Sequence, residues 1–189
     1  GCNHVIDEHD YRVILETRDG KTTYRGSYTG NYGIPDHHND VGGYEEYPEV
    51  YRPADFDSDH DGLPDWWEKL YGTNPYSEAG DFTDTNTDPN GDGYTYMDHY
   101  LEFLAMPNYS TNKNRRVSID LSQLTLGFNN LSLIYTVEGQ VENGSVEIKG
   151  KWARFTPDNN FAGLAFFDFK VTDTEGTTMV RKIGIHVEQ

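Results

Sequence analysis

The sequence predicts a mixed, mainly β fold in three parts. An irregular N-terminal segment leads into two acidic loop–helix units, and an antiparallel β-sandwich follows. Three observations point there. The net charge of −17 is concentrated, with 18 Asp/Glu against 2 Lys/Arg in residues 35–110 and 9 against 9 in residues 111–189. Two short apolar stripes at helical spacing each follow a Gly-containing acidic loop. From Val117 onward the apolar residues alternate with period two. The expected boundaries are 1–54 for the irregular segment, 55–107 for the acidic units, 108–115 for a polar linker and 116–189 for the sandwich.

In the first part, Tyr11–Glu16 (YRVILE) reads as either a strand or a short helical turn. Residues 20–43 are rich in Gly, Tyr and Asn and lack helical periodicity, so irregular backbone is expected. Such a stretch has few residues with which to build a core and would need another surface to lie on. Cys2 is the sole cysteine, so an internal disulfide is excluded. It is either an incidental thiol or the acylated first residue of a lipoprotein.

The second part carries the chemistry. Asp57-Ser-Asp59-His-Asp61-Gly62-Leu63-Pro-Asp65-Trp-Trp-Glu68 fits the EF-hand loop pattern D-x-[DN]-x-[DN]-G-x5-E without a mismatch. Each element has a physical role in holding a hard cation. Asp57, Asp59 and Asp61 point inward at alternate positions, and Gly62 makes the sharp turn. The Leu63 carbonyl supplies a backbone oxygen, Asp65 acts directly or through water, and Glu68 closes the shell with two oxygens. Calcium is the expected ion. A second loop runs through Asp88, Asn90, Asp92, Gly93 and the Tyr94 carbonyl, and it suggests a second calcium. Its closing position is His99, a poor ligand for a hard cation, and Tyr96 offers no good ligand at position nine. Either Asp98 closes the site in an altered register, or Asp84 and Asn86 fold back to complete it. Helices are expected over about Pro64–Tyr71, stopped by Gly72, and Tyr96–Ala105, followed by Pro107. Met97, Tyr100, Leu101 and Leu104 form the second apolar stripe. Each helix is too short to stand alone, so the two are expected to pack together.

The third part reads as short strands at Val117–Leu121, Leu131–Glu138, Ser145–Lys149, Ala153–Phe155, Ala165–Thr172 and Thr178–Val187. Ala165, Phe167, Phe169 and Val171 share one face, as do Met179, Ile183, Ile185 and Val187. Asn143-Gly144 is a hairpin signal.

Three stretches in this order resemble the C-terminal region of secreted bacterial pectate lyase-like proteins of the polysaccharide lyase 1 type. They are GKTTYRGSYTGNYGIPDHHNDVGGYEEYPE (20–49), DFDSDHDGLPDWWEKLYGTNP (55–75) and DTNTDPNGDGYTYMDHYLEFL (84–104). The acidic stretches are also similar to thrombospondin type 3-like calcium repeats. His99 departs from that pattern, which usually has Glu there. The pattern from Phe155-Thr-Pro157 through Phe167-Asp-Phe169-Lys-Val171-Thr-Asp173 to Gly176 looks like a bacterial immunoglobulin or cadherin-like module. The resemblance implies a secreted, periplasmic or cell-surface location. It also implies that any lyase activity belongs to a parallel β-helix, and no series of stacked coil repeats is present in this sequence.

Other chemistries fit less well. The acidic balance disfavours nucleic acid, and no apolar run is long enough to span a membrane. His37-His38-Asn39-Asp40 with His4 and His9 lacks zinc-ligand spacing. No Ser/His/Asp set stands in a recognisable context, and Arg25 or Arg52 as a lyase base is less natural than either as a salt-bridge partner. No catalytic residue is expected. The reading is a non-catalytic, calcium-binding accessory region joined to the lyase domain of a parent enzyme. Its alternative is a carbohydrate-binding or protein-interaction module, with an acidic plant glycan as the partner and Trp66, Trp67 and Trp152 as candidate stacking residues. A dockerin-like pairing is disfavoured, because the two loops differ.

Overall fold

The computed structural model describes residues 7–44, 46–47, 49–128 and 132–189. The strand expected from Leu131 thus begins at a residue outside this set, as do Cys2 and His4. The described residues divide into two compact units: residues 49–108, and residues 7–47 together with 109–189. Among the described residues no helix is long and apolar enough to cross a membrane.

The ambiguous N-terminal stretch is helical, with α1 spanning Glu8–Asp19. Val13 and Ile14 favour a strand locally, but the ends decide the matter. The Asp7 side chain accepts from Asp10 N at 2.7 Å, and Gly20 closes the helix at φ 61°. An Arg12–Glu16 pair at 3.3 Å braces the middle. Irregular backbone follows as expected, with one isolated bridge between Arg25 and Tyr32 and a 3₁₀ turn at His38–Val41. Two carboxylates staple it. Asp36 accepts from Tyr28 N and Thr29 N at 2.9 and 2.8 Å. Asp40 accepts from Ser27 N, Asp36 N and His37 N at 3.1, 2.9 and 3.1 Å. These amides hold the Asp40 carboxyl down at about 2, Ser27 contributing most.

The sandwich consists of two antiparallel sheets. One has the order β1-β7-β6-β3 and the other β2-β5-β4. The strands are β1 (Asn108–Asn112), β2 (Val117–Asp120), β3 (Ile134–Glu142), β4 (Gly144–Lys149), β5 (Trp152–Pro157), β6 (Gly163–Thr172) and β7 (Thr178–Glu188). Burial along β6 alternates without exception, so Ala165, Phe167, Phe169 and Val171 are inside. They pack with Ile183, Ile185 and Val187 of β7 and with Ile119, Ala153 and Phe155 of the smaller sheet. Phe155 and Phe167 stack at 6.4 Å between ring centres. A 3₁₀ turn at Leu121–Leu124 contributes two more core leucines, and the buried Thr125 and Tyr135 hydroxyls meet at 2.9 Å. Burying each large apolar side chain contributes roughly 1.5–3 kcal/mol.

Two expectations need correction. The polar stretch at 108–115, where the sequence predicts a linker, contains β1, an edge strand beside β7. Composition misleads there because an edge strand needs few apolar residues, and Tyr109 alone packs partly against the core. Asn143-Gly144 does not close a hydrogen-bonded hairpin. β3 and β4 lie in different sheets, so the pair forms a corner between them. Asn143 takes the left-handed conformation at φ 58° and donates to Leu164 O at 2.9 Å. At Gly144 a Cβ would sit 2.5 Å from the Phe155 ring and 2.6 Å from Thr156 O. The glycine is required by a close approach, not by turn type.

Gly144→Ala should therefore destabilise the protein by about 1–3 kcal/mol, through overpacking against Phe155. Urea denaturation monitored by circular dichroism would measure it, and an unchanged midpoint would show that the corner relaxes freely.

Candidate metal centre

The unit of residues 49–108 is built on α2 (Asp65–Tyr71) and α3 (Tyr96–Ala105). Trp67 is almost fully buried and lies 5.1 Å from the Tyr100 ring and 5.8 Å from that of Phe103. The stripe on α3 differs from expectation, because Phe103 packs while Leu101 is 51% exposed. Trp66 meets the Tyr100 and Phe103 rings edge-on at 6.2 and 6.0 Å, so both tryptophans serve the aromatic core.

This packing carries the first acidic loop into Glu68 on α2. Asp57, Asp59 and Asp61 each bring a carboxylate oxygen within 4.8 Å of the other two. Asp59, Asp61 and Glu68 are at most 2% exposed. Gly62 sits at φ 96°, and a side chain there would meet Met97 Cε at 3.0 Å. The loop's own amides satisfy part of the charge: Gly62 N donates to Asp57 Oδ2 at 3.2 Å and Leu63 N to Asp61 Oδ1 at 2.8 Å. The segment after α2 supplies further donors. Ser77 donates to Asp59 Oδ2 through N and Oγ at 3.2 and 2.8 Å, and Thr85 Oγ1 donates to Asp61 Oδ2 at 2.6 Å. Neither hydroxyl was foreseen, since nothing in local spacing announces a donor 18 or 24 residues from its acceptor.

Two oxygens stay without a partner. Asp57 Oδ1 and Glu68 Oε2 are buried and hydrogen-bonded to nothing, while Glu68 Oε1 has only Thr73 Oγ1 at 3.4 Å. Burial, and then the charges of Asp59 and Asp61, push the Glu68 carboxyl up to about 7.

Asp65 is placed differently from the sequence expectation. Its carboxylate accepts from Ser58 N and Oγ at 2.8 and 3.0 Å and pairs with Lys69 at 3.4 Å. Burial raises this carboxyl, but the Ser58 and Lys69 hydrogen bonds more than offset that and leave it below the ordinary value. It ties the start of the loop to the first turn of α2. The competing donors of Ser58 take the group.

The second loop has the same turn chemistry without the burial. Asp88 accepts from Gly91 N and Gly93 N at 2.7 and 2.9 Å, and Asp92 Oδ1 accepts from Tyr94 N at 2.8 Å. Asp88, Asn90, Asp92 and Tyr94 are all exposed. Asn90 turns its amide nitrogen onto Asp92 Oδ2 at 3.0 Å. Asp98 does not close this loop. It is held by Thr95 N and Oγ1 at 2.8 and 2.7 Å in a capping box for α3. His99 faces the loop instead, 3.9 Å from Asp92 Oδ2. Nor do the folded-back candidates complete it: Asp84 accepts from Asn74 N at 3.1 Å, and Asn86 donates to Phe82 O at 2.9 Å.

Among the described residues, Asp57, Asp59 and Asp61 form the one grouping of metal-ligand type. His37 and His38 lie in the 3₁₀ turn region, with His38 stacked on Tyr44 at 4.2 Å. Arg25 and Arg52 sit over the rings of Tyr32 and Phe56 at 5.0 and 4.4 Å, a cation–π role where a salt bridge was expected.

Comparison with known proteins bears on the sandwich. Residues 101–186 match the family model described as bacterial Ig domain, a span from within α3 to within β7. The sandwich is an Ig-like module. Among solved structures, an endo-fucoidan hydrolase, MfFcnA4 of glycoside hydrolase family 107, aligns at 16% identity and TM-score 0.33, over 44% of this chain and 13% of that one. A single-site variant of that enzyme aligns at 18% identity and TM-score 0.31, with the same coverage. A 2,6-sialyltransferase from a Vibrionaceae Photobacterium species aligns at 10% identity and TM-score 0.27, over 44% of this chain and 18% of that one. The chain thus spans less than a fifth of each of these proteins, and no curated protein matches it.

Thr85→Val keeps the side-chain shape but removes the donor to Asp61. It should cost about 1–3 kcal/mol, as expected for a buried carboxylate deprived of a hydrogen bond. Urea denaturation would report the loss.

Proposed function

We propose that the first loop holds calcium and that the chain is a non-catalytic, calcium-stabilised accessory region of a secreted polysaccharide-degrading enzyme. One observation carries the metal assignment. Asp57 Oδ1 and Glu68 Oε2 are buried without a partner beside two further buried carboxylates. An uncompensated charge in that position costs several kcal/mol. A donor set made only of oxygens suits calcium better than a softer ion. Asp57, Asp59, Asp61, the Leu63 carbonyl and Glu68 would hold it, with Asp65 as an outer brace. The ion supplies positive charge to the cluster and, by binding only the folded form, adds stability of about 2.7 kcal/mol at a hundred times its Kd.

The second loop, through Asp88, Asn90, Asp92 and the Tyr94 carbonyl, is a weaker second site, because its closing position holds an imidazole. The parent-enzyme reading rests on the resemblance of the three sequence stretches to lyase C-terminal regions, with the Ig-like module as a non-catalytic appendage. Exposed tyrosines at 28 and 44, each more than 80% accessible, fit a segment that lies against the lyase domain of the parent chain.

Thermal unfolding in excess EGTA and then in calcium is the direct test. A calcium-dependent rise in Tm is expected for the wild type and its loss for Asp57→Ala; an identical Tm in both conditions would remove the calcium reading. Above about pH 8, where the Glu68 carboxyl is charged without the ion, Glu68→Gln should act with opposite signs, raising Tm in EGTA by relieving like-charge repulsion and lowering it in calcium by removing a ligand charge. His99→Glu should tighten the weaker of two calorimetric binding steps by about tenfold or more, since a bidentate carboxylate replaces an imidazole at the closing position.

A further inference from the structure

The outer face of the β2-β5-β4 sheet differs in charge from the rest of the chain. Its central strand presents Trp152, 46% exposed, with Asp120 and Lys149 as its cross-strand neighbours. The indole faces outward, because the buried side of β5 is Ala153, Phe155 and Pro157. Beside it lie Lys149, Lys151 and Arg154, with Arg116 just before β2 and toward the other end of that strand, all exposed. Only two carboxylates answer them: Lys149 pairs with Glu147 and Lys151 with Asp120, each at 2.8 Å. Arg154 stands opposite Glu147 in register and Arg116 acts on the same carboxylate, so this face carries surplus positive charge on a chain of net −17. Lys151 also lies 5.5 Å from the centre of the indole ring.

We propose that this face binds an anionic glycan, with one sugar ring stacked on Trp152 and its carboxylate or sulfate held by Arg154 and the neighbouring lysines. The occupant follows from the chemistry of the face. Its other outward residues are polar, among them Ser118 and Ser145, so an apolar helix or a hydrophobic protein partner would find one matching residue and several charges to desolvate. A pyranose offers a flat C–H surface for the exposed part of the indole beside Lys151, and an anionic substituent at its edge for the surplus cations. The local surplus of cations is complementary to an anion despite the overall acidity, because charges beyond about 10 Å are largely screened at ordinary ionic strength. The site lies wholly within the Ig-like module and does not depend on the calcium loops.

The test is isothermal titration of the full chain in EGTA, so that calcium cannot bridge protein and ligand. The probes are a short oligogalacturonate, a sulfated oligosaccharide of equal length, a neutral one and poly-glutamate. Binding of either anionic sugar is expected, weakened about tenfold or more in Trp152→Ala. Arg154→Gln should weaken it too and flatten its salt dependence. Carboxylated and sulfated probes distinguish which anion the face prefers, and either supports the site. Trp152 is outside the core, so circular dichroism should show Trp152→Ala folded; Trp152→Phe, which keeps a ring, should retain part of the affinity. Absence of binding, equal binding by the neutral sugar or poly-glutamate, or unchanged affinity in Trp152→Ala would each overturn the proposal. A chain whose Tm ignores calcium yet binds the anionic sugar would separate this inference from the calcium reading.

Discussion

The unit of residues 49–108 is governed by the crowding of carboxylates at the first loop. Asp57, Asp59, Asp61 and Glu68 are driven together by the same packing that buries Trp67 on Tyr100 and Phe103. Like charges at such separations repel strongly once water is excluded. The chain answers with donors from the loop itself and with two hydroxyls from the following segment, yet leaves two oxygens bare. The second loop shows the same turn without that constraint. Its carboxylates face water, so they need no such compensation, and the helix behind it is capped by Asp98 in place of a shared ligand.

The Ig-like module is held together on different terms. Its core is apolar, built from alternating strands with cross-sheet phenylalanine contacts, and its charges balance. Polar groups within it are paired, as at Thr125 and Tyr135. A single polypeptide thus combines one part whose order leans on ionic compensation with another that relies on hydrophobic burial. Changes in ionic conditions should be felt unequally along the chain.

Legibility in the sequence followed the range of the interactions. The alternation in β6 and the Asp-Gly loop before α2 could be read directly, because each depends on neighbours within a few residues. The helical state of Tyr11–Glu16 is signalled only by its ends, Asp7 and Gly20, while the β-branched pair between them favours a strand. The edge strand β1 was hidden by polar composition. Asn143-Gly144 carried a turn signal whose meaning depended on Phe155, a residue distant in sequence. At the site, the motif named the acidic positions but not their partners. Ser58 takes Asp65, Thr95 takes Asp98, and Ser77 and Thr85 reach into the loop from beyond the motif.

Asp36 and Asp40 hold their segment through backbone amides and with little hydrophobic burial. The order they impose is therefore electrostatic, and it is fully present above the ordinary carboxylate range and fades only as pH falls toward about 2, where Asp40 takes up its proton. A stretch that would look too poor in apolar residues to keep a shape thus gains acid tolerance, and its tyrosines are displayed on a frame that weakly acidic surroundings leave intact.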